Sequence, residues 1–302
     1  MRDNKVTQAQ GGSDPETRRA MADLTAKLTQ DYWNGLHEKT PGQLLAVGYS
    51  TLGEGYNREA YRRLRIPALR RLLHRNRVVP RNLLEAGVGT GAYAGLWQEL
   101  GVTEWTGIDI SPRAIAHLRL RYPSAEFHVI DLARPEDEFK GQCFDFVTAI
   151  DVLYHIIDDG HFATALTWLA SHVGEASHLV VSDVFTDSPF GRRFKHVRRR
   201  PMEAYLQVLE PLGLRLVDRE SVFAILGDPV PDGRGRGGTL YQLWRILQKS
   251  IRMMPDSLQG AYGATVVRLA YPIDALIRAM TDLRGINLEL ALFRKVSSTH
   301  YR

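Results

Sequence analysis

The sequence has a single cysteine, Cys143, among its 302 residues. An intrachain disulfide is therefore impossible, and no zinc site can be built from cysteines. No stretch reaches about 18 consecutive apolar residues, so we expect neither a transmembrane helix nor a membrane partner. The first 19 residues are polar and lack the apolar segment of a secretory signal. These absences together predict a soluble protein of the reducing cytosol.

Positive charge is in small excess: the sequence has 39 lysines and arginines and 34 aspartates and glutamates, a net charge of +5. A mildly basic chain admits acidic substrates such as phosphates, carboxylates or nucleic acid without selecting among them. The hydrophobic fraction of 44% is ordinary for a globular protein. The length suggests one large domain or a core with a smaller appendage, and nothing here specifies an oligomeric state.

Short apolar runs alternate with helical spacing from residue 82 onward. They predict buried strands at Asn82–Ala86, Trp105–Ile110, Glu126–Asp131, Phe144–Ile150 and His178–Val184. Strands that alternate with helices form βαβ units, so the expected fold class is α/β, a doubly wound and mostly parallel sheet. Further along, Arg215–Ala224 is predicted as a strand, and the alternating run Asn287–Val296 is typical of an edge strand.

Four regions follow from this pattern. Residues 1–76 are expected to form a polar tail and a helical cap, and residues 77–225 the core domain. Two helical segments after a turn-rich stretch make 226–286 a helical insertion. Residues 287–302 would supply the last core strand and the C-terminus.

Three glycines at alternate positions follow the first predicted strand, in the segment Glu85-Ala-Gly87-Val-Gly89-Thr-Gly91. Glycine is needed where the backbone turns sharply or where a ligand lies against the main chain. We expect a helix to begin near Tyr93, and the free N–H groups of its first turn favour an electron-rich ligand. The spacing also satisfies the dinucleotide fingerprint, and a tight turn that binds nothing is a third interpretation.

Acidic residues end three successive predicted strands. Glu85 precedes the first glycine, where a carboxylate would repel a pyrophosphate but attract a ligand that carries ammonium and sulfonium groups. Asp109, beside Ile110, is placed to accept hydrogen bonds from a ribose diol, and Asp131, beside Leu132, to reach an adenine amine. Each acid alone is more typical of a surface or capping carboxylate. Because the carboxyl ends of parallel strands share one edge of a sheet, the three together predict a nucleoside site.

These segments resemble the class I S-adenosylmethionine-dependent methyltransferases, specifically from about Asn82 to Val184 and more loosely elsewhere. The matching residues are Glu85–Gly91, Gly107–Ser111, Val129–Leu132 and Phe144–His155. The resemblance implies a Rossmann-like sheet of seven strands, parallel but for one, whose last two strands are the two predicted after residue 214. It also implies S-adenosylmethionine as cofactor, S-adenosylhomocysteine as product, and 77–225 as the core that binds them.

The resemblance further implies where each cofactor-binding residue lies. Glu85 and the glycines would lie near the amino-acid part, Asp109 on the ribose, and Asp131 with Leu132 at the adenine. Residues ahead of the first strand often close over the cofactor carboxylate in such enzymes, and Arg65, one helical turn after Tyr61, is a candidate for this. Snorkelling of Arg65 to solvent is the alternative.

The end of the fourth predicted strand carries Asp151, Tyr154 and His155. It lacks the Asn/Asp-Pro-Pro-aromatic motif of enzymes that methylate amines of nucleic-acid bases, and its Tyr-His form resembles small-molecule, sugar and natural-product methyltransferases. His155 is the leading candidate for a general base, since an imidazole titrates near neutral pH; a structural histidine is the alternative. Tyr154 is a candidate for substrate binding. Asp151 would line the cofactor pocket or cap the following helix.

Six of the ten residues from Gly191 to Arg200 are arginine or lysine. A solvated basic surface is one interpretation. The segment follows the fifth predicted strand on the cleft side, so Arg198 could instead grip an anionic substrate, and His196 is the alternative base. In the cap, Trp33 could line a substrate pocket or pack within the cap.

No group of His, Asp and Glu has metal-ligand spacing, so we expect metal-independent chemistry. The favoured function is methylation of a small molecule at oxygen, the hydroxyl or carboxylate of a natural product or sugar, beneath a lid formed by cap and insertion. One alternative is an RNA or protein substrate recruited by the Arg-rich segment, although no RNA-binding module or aromatic–basic interleaving is present. A nicotinamide-dependent oxidoreductase and a non-catalytic cofactor-binding scaffold are the others.

Overall fold

A computed structural model describes residues 15–135, 139–188, 197–231 and 235–296, with the backbone alone for residues 15–26 and 236. Its strands are β1 (Asn82–Ala86), β2 (Glu104–Asp109), β3 (Glu126–Val129), β4 (Phe144–Ala149), β5 (Val173–Asp183), β6 (Leu214–Ser221) and β7 (Glu289–Lys295). They form one sheet in the order β3-β2-β1-β4-β5-β7-β6. Each neighbouring pair is parallel except those that include β7, which is antiparallel to both β5 and β6. The prediction of a seven-stranded, mostly parallel sheet is confirmed.

The last strand departs from the sequence-based expectation. The prediction of an edge strand at Asn287–Val296 is wrong, because β7 is hydrogen-bonded on both sides. Its first five residues, from Glu289 to Phe293, are all buried. An alternating pattern does not indicate whether a strand has one neighbour or two. The uninterrupted apolar run Leu290–Phe293 is typical of a strand that is covered on both faces.

The helices are α1 (Pro15–Lys39), α2 (Gly53–Ala60), α3 (Ile66–Arg75), α4 (Ala94–Leu100), α5 (Pro112–Arg121), α6 (Asp159–Ser171), α7 (Met202–Leu209), α8 (Arg236–Arg252) and α9 (Asp256–Met280). A π-helical turn, Tyr61–Arg65, joins α2 to α3, and Pro67 follows in the first turn of α3. Among the described residues, no helix is both long and apolar enough to cross a bilayer.

Helices cover both faces of the sheet. Successive strand residues point to opposite faces, so Leu83 and Leu84 of β1 enter different cores. The first core includes Tyr56 of α2 and Trp244 of α8, and the second is closed by α6 and α7. The cap and the insertion therefore share one face of the sheet.

Helix α9 is fixed to the cap and to the segment after β6. A side chain on Gly55 would overlap the carbonyl of Gly260, so α2 and α9 approach at glycine distance. Asp274 is fully buried and accepts hydrogen bonds from Arg278 and, at 2.8–3.0 Å, from three consecutive backbone amides, those of Ala224, Ile225 and Leu226. The orientation of α9 about its own axis is thereby set.

Candidate active site

A cavity opens at the carboxyl ends of β1 to β4, where the strand order reverses between β1 and β4. Ligands of open α/β sheets bind at such a switch point. Eleven of the predicted site residues line the cavity: Trp33, Tyr61, Glu85, Gly87, Gly89, Asp109, Ile110, Asp131, Leu132, Asp151 and His155. Four predicted residues do not line it, namely Arg65, Gly91, Tyr154 and Arg198. The remaining predicted site residue, His196, lies outside the described residues.

The glycine loop between β1 and α4 forms the cavity floor. Gly87, Gly89 and Gly91 have φ angles of 71°, 52° and 71°, in the left-handed region that favours glycine. A side chain on Gly87 would overlap Val152, and one on Gly89 would lie 2.8 Å from Val47. Gly91 instead faces α5, so it serves the packing of the loop and not the cavity surface.

Asp109 ties the end of β2 to this loop. Its carboxylate accepts one hydrogen bond from the amide of Gly89 and another from the amide of Ser111, both at 2.9 Å. Burial raises the pKa of Asp109, and the nearby imidazole of His37 opposes that shift. The carboxylate is thus held rigidly at the cavity wall.

Glu85 lies deepest among the acids, at the carboxyl end of β1. It is 5% exposed, and one carboxylate oxygen accepts a 2.8 Å hydrogen bond from the indole N–H of Trp97. Burial raises its pKa to about 8, because a low dielectric disfavours the charged form. A cation brought into the cavity would favour the carboxylate again.

Asp131 follows β3 and lines the opposite side of the cavity. Its Oδ1 accepts a 2.9 Å hydrogen bond from the amide of Ala133, which fixes the turn. Leu132, Ile110 and Ile130 are apolar and line the cavity beside it. This side can enclose a flat apolar ring and present one acceptor at its edge.

Asp151, two residues after the end of β4, takes a left-handed φ of 62°, which is uncommon for a residue other than glycine. Its amide donates a 2.7 Å hydrogen bond to Ser182 Oγ, and its carboxylate pairs with the guanidinium of Arg65. The interpretation of Asp151 as a helix cap is wrong. The cap of α6 is Asp158, which accepts a 2.9 Å hydrogen bond from the amide of His161.

Arg65 lies behind the cavity wall. Its guanidinium carbon is 5.1 Å from the ring centroids of both Tyr61 and Phe223. The residue is only 7% exposed, so the snorkelling interpretation is wrong. Tyr61 reaches the cavity, while Arg65 neutralises Asp151 from behind.

Trp33 and His155 form an aromatic wall at one side of the cavity. Their rings meet edge to face with centroids 5.0 Å apart, and the ring of Tyr154 lies 4.6 Å from that of His155. The hydroxyl of Tyr154 hydrogen-bonds to Asp151, and burial raises its pKa. Tyr154 therefore supports the wall and does not form its surface.

The described part of the basic segment makes ion pairs within the chain. Arg198 and Arg200 both pair with Asp159 at the start of α6, and Arg200 also lies 4.0 Å above the ring of Phe162. Arg199 lies 3.5 Å from the carboxylate of Asp228. These three arginines thus brace the segment that follows β5.

Sequence reasoning missed two cavity residues on α1, Thr29 and His37, which lie one turn either side of Trp33. Helix α1 is held over the cavity by a 3.0 Å hydrogen bond from Gln30 to the carbonyl of Ile110. The four-residue spacing of the three side chains was visible in the sequence and was the available signal. Within the described residues, no group of three or more His, Cys, Asp or Glu could hold a metal ion.

A doubly wound sheet with a glycine loop and strand-end acids around one cavity defines a nucleoside-binding α/β protein of Rossmann-like type. A family described as methyltransferase domain matches residues 56–217, more than half of the chain. The chain belongs to this methyltransferase family, and its similarity to the class I S-adenosylmethionine-dependent enzymes is confirmed.

Several solved structures are similar to the chain. The N-methyltransferase NodS from Bradyrhizobium japonicum WM9, with S-adenosylhomocysteine, shares 18% identity over 80% of this chain and 88% of its own, with a TM-score of 0.49. The magnesium protoporphyrin IX methyltransferase ChlM from Synechocystis PCC 6803, with S-adenosylmethionine, shares 16% identity over 65% and 89%, with a TM-score of 0.47. A putative sarcosine dimethylglycine methyltransferase from Galdieria sulphuraria shares 15% identity over 76% and 84%, with a TM-score of 0.48. No curated protein matches the chain by sequence.

Proposed function

We propose that the chain binds S-adenosylmethionine in this cavity and transfers its methyl group to an oxygen of a small molecule, a hydroxyl or a carboxylate. The observation that carries the proposal is the position of Glu85, Asp109 and Asp131. Acids from three neighbouring strand ends line one cavity above a loop of left-handed glycines. The expected compartment is the cytosol.

The charge of the cavity favours a cationic nucleoside over a dinucleotide. Among the residues that the structure describes, five carboxyl groups line it, those of Glu85, Asp109, Asp131, Asp151 and Asp158, against one guanidinium, that of Arg134. In the free protein Glu85 is mostly protonated and Asp151 is paired with Arg65, but Asp109, Asp131 and Asp158 still outnumber Arg134. A pyrophosphate would therefore be repelled, whereas an ammonium and a sulfonium would be attracted and would favour the charged form of Glu85. The nicotinamide-dependent alternative loses support accordingly.

Bound there, S-adenosylmethionine supplies a methyl group activated by its sulfonium. The protein mainly has to hold the acceptor oxygen in line with that carbon and to exclude water. His155 lies at the aromatic wall, where an imidazole nitrogen can take the proton that a hydroxyl acceptor releases as the new C–O bond forms. Trp33 gives the acceptor an apolar surface to rest on.

The cap would act as the lid of this site, since α1 contributes Thr29, Trp33 and His37 to the wall. Among the described residues, none of 226–286 lines the cavity. The insertion would act through the cap instead, because Trp244 of α8 packs 5.3 Å from Tyr49, close to Asp151 and Arg65.

An RNA or protein acceptor is less favoured, since Arg198, Arg199 and Arg200 lie beside acids of the chain.

Calorimetric titration of the full chain with S-adenosylhomocysteine and with NAD tests the cofactor. We expect binding of the first and none of the second, and the reverse result would overturn the proposal. Product formation from S-adenosylmethionine over a panel of hydroxyl, carboxylate and amine small molecules tests the acceptor. A turnover confined to amines would refute transfer to oxygen.

The role of His155 is tested with His155→Ala and with His74→Ala, an exposed histidine of α3, as the matched control. Loss of a general base lowers kcat about 100-fold or more, while the affinity for S-adenosylhomocysteine changes little and the control behaves as wild type. An unchanged kcat in His155→Ala would remove the histidine from the mechanism.

A further inference from the structure

The outward face of α9 is apolar along its second half. Eight residues between 265 and 280 are exposed, and Arg268 is the only charged one in this range. Four large side chains form what we term the α9 stripe: Leu269, Ile273, Leu276 and Met280, which are 74%, 56%, 59% and 77% exposed. A contiguous apolar surface of this kind on a globular protein marks an interaction site.

The spacing of the α9 stripe places it on one side of the helix. Intervals of four, three and four residues follow the helical repeat, so the four side chains form a line about 16 Å long. An adjacent side of α9 packs against the protein, since Val266, Val267 and Asp274 are buried. The stripe is therefore a second apolar face and not a core face turned outward.

The α8–α9 hairpin as a whole carries an excess of positive charge. Residues 236–280 contain six arginines and lysines but only two acids, Asp256 and Asp274. Asp274 and Arg278 pair with each other and are nearly buried, so neither presents a charge to a partner, and five basic residues remain against Asp256. Leu243 and Ile246 of α8, and Met253 directly after it, are exposed along with the basic residues Arg245, Lys249 and Arg252.

A further cationic cluster flanks the start of the stripe. Glu59 receives three guanidinium groups, from Arg62, Arg63 and Arg268, at 2.7–3.0 Å. The three partners keep the pKa of Glu59 at about 2 in spite of its burial, so it stays ionised. Two positive charges then remain in excess beside Leu269.

We propose that the α8–α9 hairpin docks the protein on the surface of a bilayer that contains anionic phospholipid. Helices that lie in a membrane interface combine an exposed apolar face with lysine and arginine, and anionic headgroups attract such basic residues. A second copy of the chain fits less well, because a symmetric contact would bring the same cations face to face. The expectation of no membrane partner rested on the lack of a spanning run, which does not bear on a helix lying in the interface.

Flotation of the full chain with vesicles tests this docking independently of the proposed reaction. The probes are phosphatidylcholine vesicles with and without roughly 30 mol% phosphatidylglycerol, a content that gives a negative surface potential. The variant is Leu269→Ser/Ile273→Ser/Leu276→Ser, and the matched control is Val79→Ser/Leu120→Ser, two exposed apolar residues outside the hairpin. Circular dichroism and S-adenosylhomocysteine titration establish that each variant is folded.

Wild type and control are expected to float with the anionic vesicles, and the stripe variant to lose affinity by about tenfold or more, since apolar area drives interfacial binding. Added salt should weaken binding of the wild type severalfold through screening of the basic residues. Absence of wild-type flotation, or equal flotation of the stripe variant, would overturn the proposal. So would a dimer in sedimentation analysis that the stripe variant alone dissociates.

Discussion

The carboxylate of Asp109, at the end of β2, accepts a hydrogen bond of 2.9 Å from the amide of Gly89 in the loop that follows β1. The second oxygen of Asp109 accepts an equally short bond from Ser111. One side chain therefore both faces the cavity and fixes the backbone against which a cofactor would lie. Loss of this carboxylate removes a cofactor contact and loosens the loop at the same time.

We accordingly expect Asp109→Ala to weaken binding of S-adenosylhomocysteine by roughly 10- to 100-fold, the usual effect of losing hydrogen bonds to a charged group. Titration calorimetry at constant pH measures this. Glu175→Ala removes an exposed acid of β5 and is the matched control, expected to bind as wild type. Equal affinities of Asp109→Ala and wild type would mean that Asp109 serves the loop alone.

Glu85 should make cofactor binding depend on pH. Its pKa of about 8 in the free protein means that the side chain is mostly protonated at neutral pH, and an ammonium group bound nearby would lower that pKa. Binding would then release close to one proton at pH 7, and affinity would rise with pH until the free carboxyl ionises. Calorimetry in buffers of different ionisation enthalpy measures the proton, and Glu85→Gln should release none.

Glu85 should also make the stability of the ligand-free protein depend on pH, with stability falling as pH rises. The pKa of Glu85 is raised on folding, from 4.5 to about 8, so the folded state binds more protons than the unfolded state between these values. Stability from this group is fully present below pH 4.5 and is lost as pH rises through about 8. The difference in melting temperature between Glu85→Gln and wild type should therefore grow in favour of the variant as pH rises from 6 to 9. A constant difference would contradict the shift.

The strands and the strand-end acids were predictable because both depend on local sequence. The runs at Asn82–Ala86 and Phe144–Ile150 are apolar and bounded by turn residues, and the acids after them have fixed places in the chain. Whether a strand lies at an edge is decided by its neighbours, and the pairing of β7 between β5 and β6 is not encoded in its own alternation.

The partners of charged residues were the least predictable part of the site. Arg65 and Asp151 are 86 residues apart and meet only when the cap closes on β4. Arg198 was a candidate for substrate binding, with a solvated basic surface as the other interpretation, but it pairs with Asp159 of α6. In each case the acid that pairs with the arginine is set by the tertiary fold, and no local sequence pattern indicates which of several nearby acids it is.

Gly87 should be irreplaceable in a way that another glycine of the same region is not. Gly87→Ala forces a left-handed backbone on alanine and overlaps Val152, so we expect a loss of about 2 kcal/mol or more and weaker cofactor binding. Gly95, in α4, has nothing within 4 Å of an added Cβ. Gly95→Ala should instead stabilise the helix by about 0.5–1 kcal/mol. Urea unfolding compares the two, and equal effects would refute the role of the loop conformation.

Asp274 should be the most sensitive residue of the insertion, although it is far from the cavity. Its buried carboxylate accepts hydrogen bonds from three consecutive amides after β6 and pairs with Arg278. Asp274→Ala leaves those donors and a nearly buried guanidinium without their acceptor, which costs about 3–5 kcal/mol. Thermal unfolding should show a large fall in the melting temperature, while Asp256→Ala, at the exposed start of the same helix, should stay within about 0.5 kcal/mol of wild type. If both variants melted alike, the anchoring of α9 through Asp274 would be disproved.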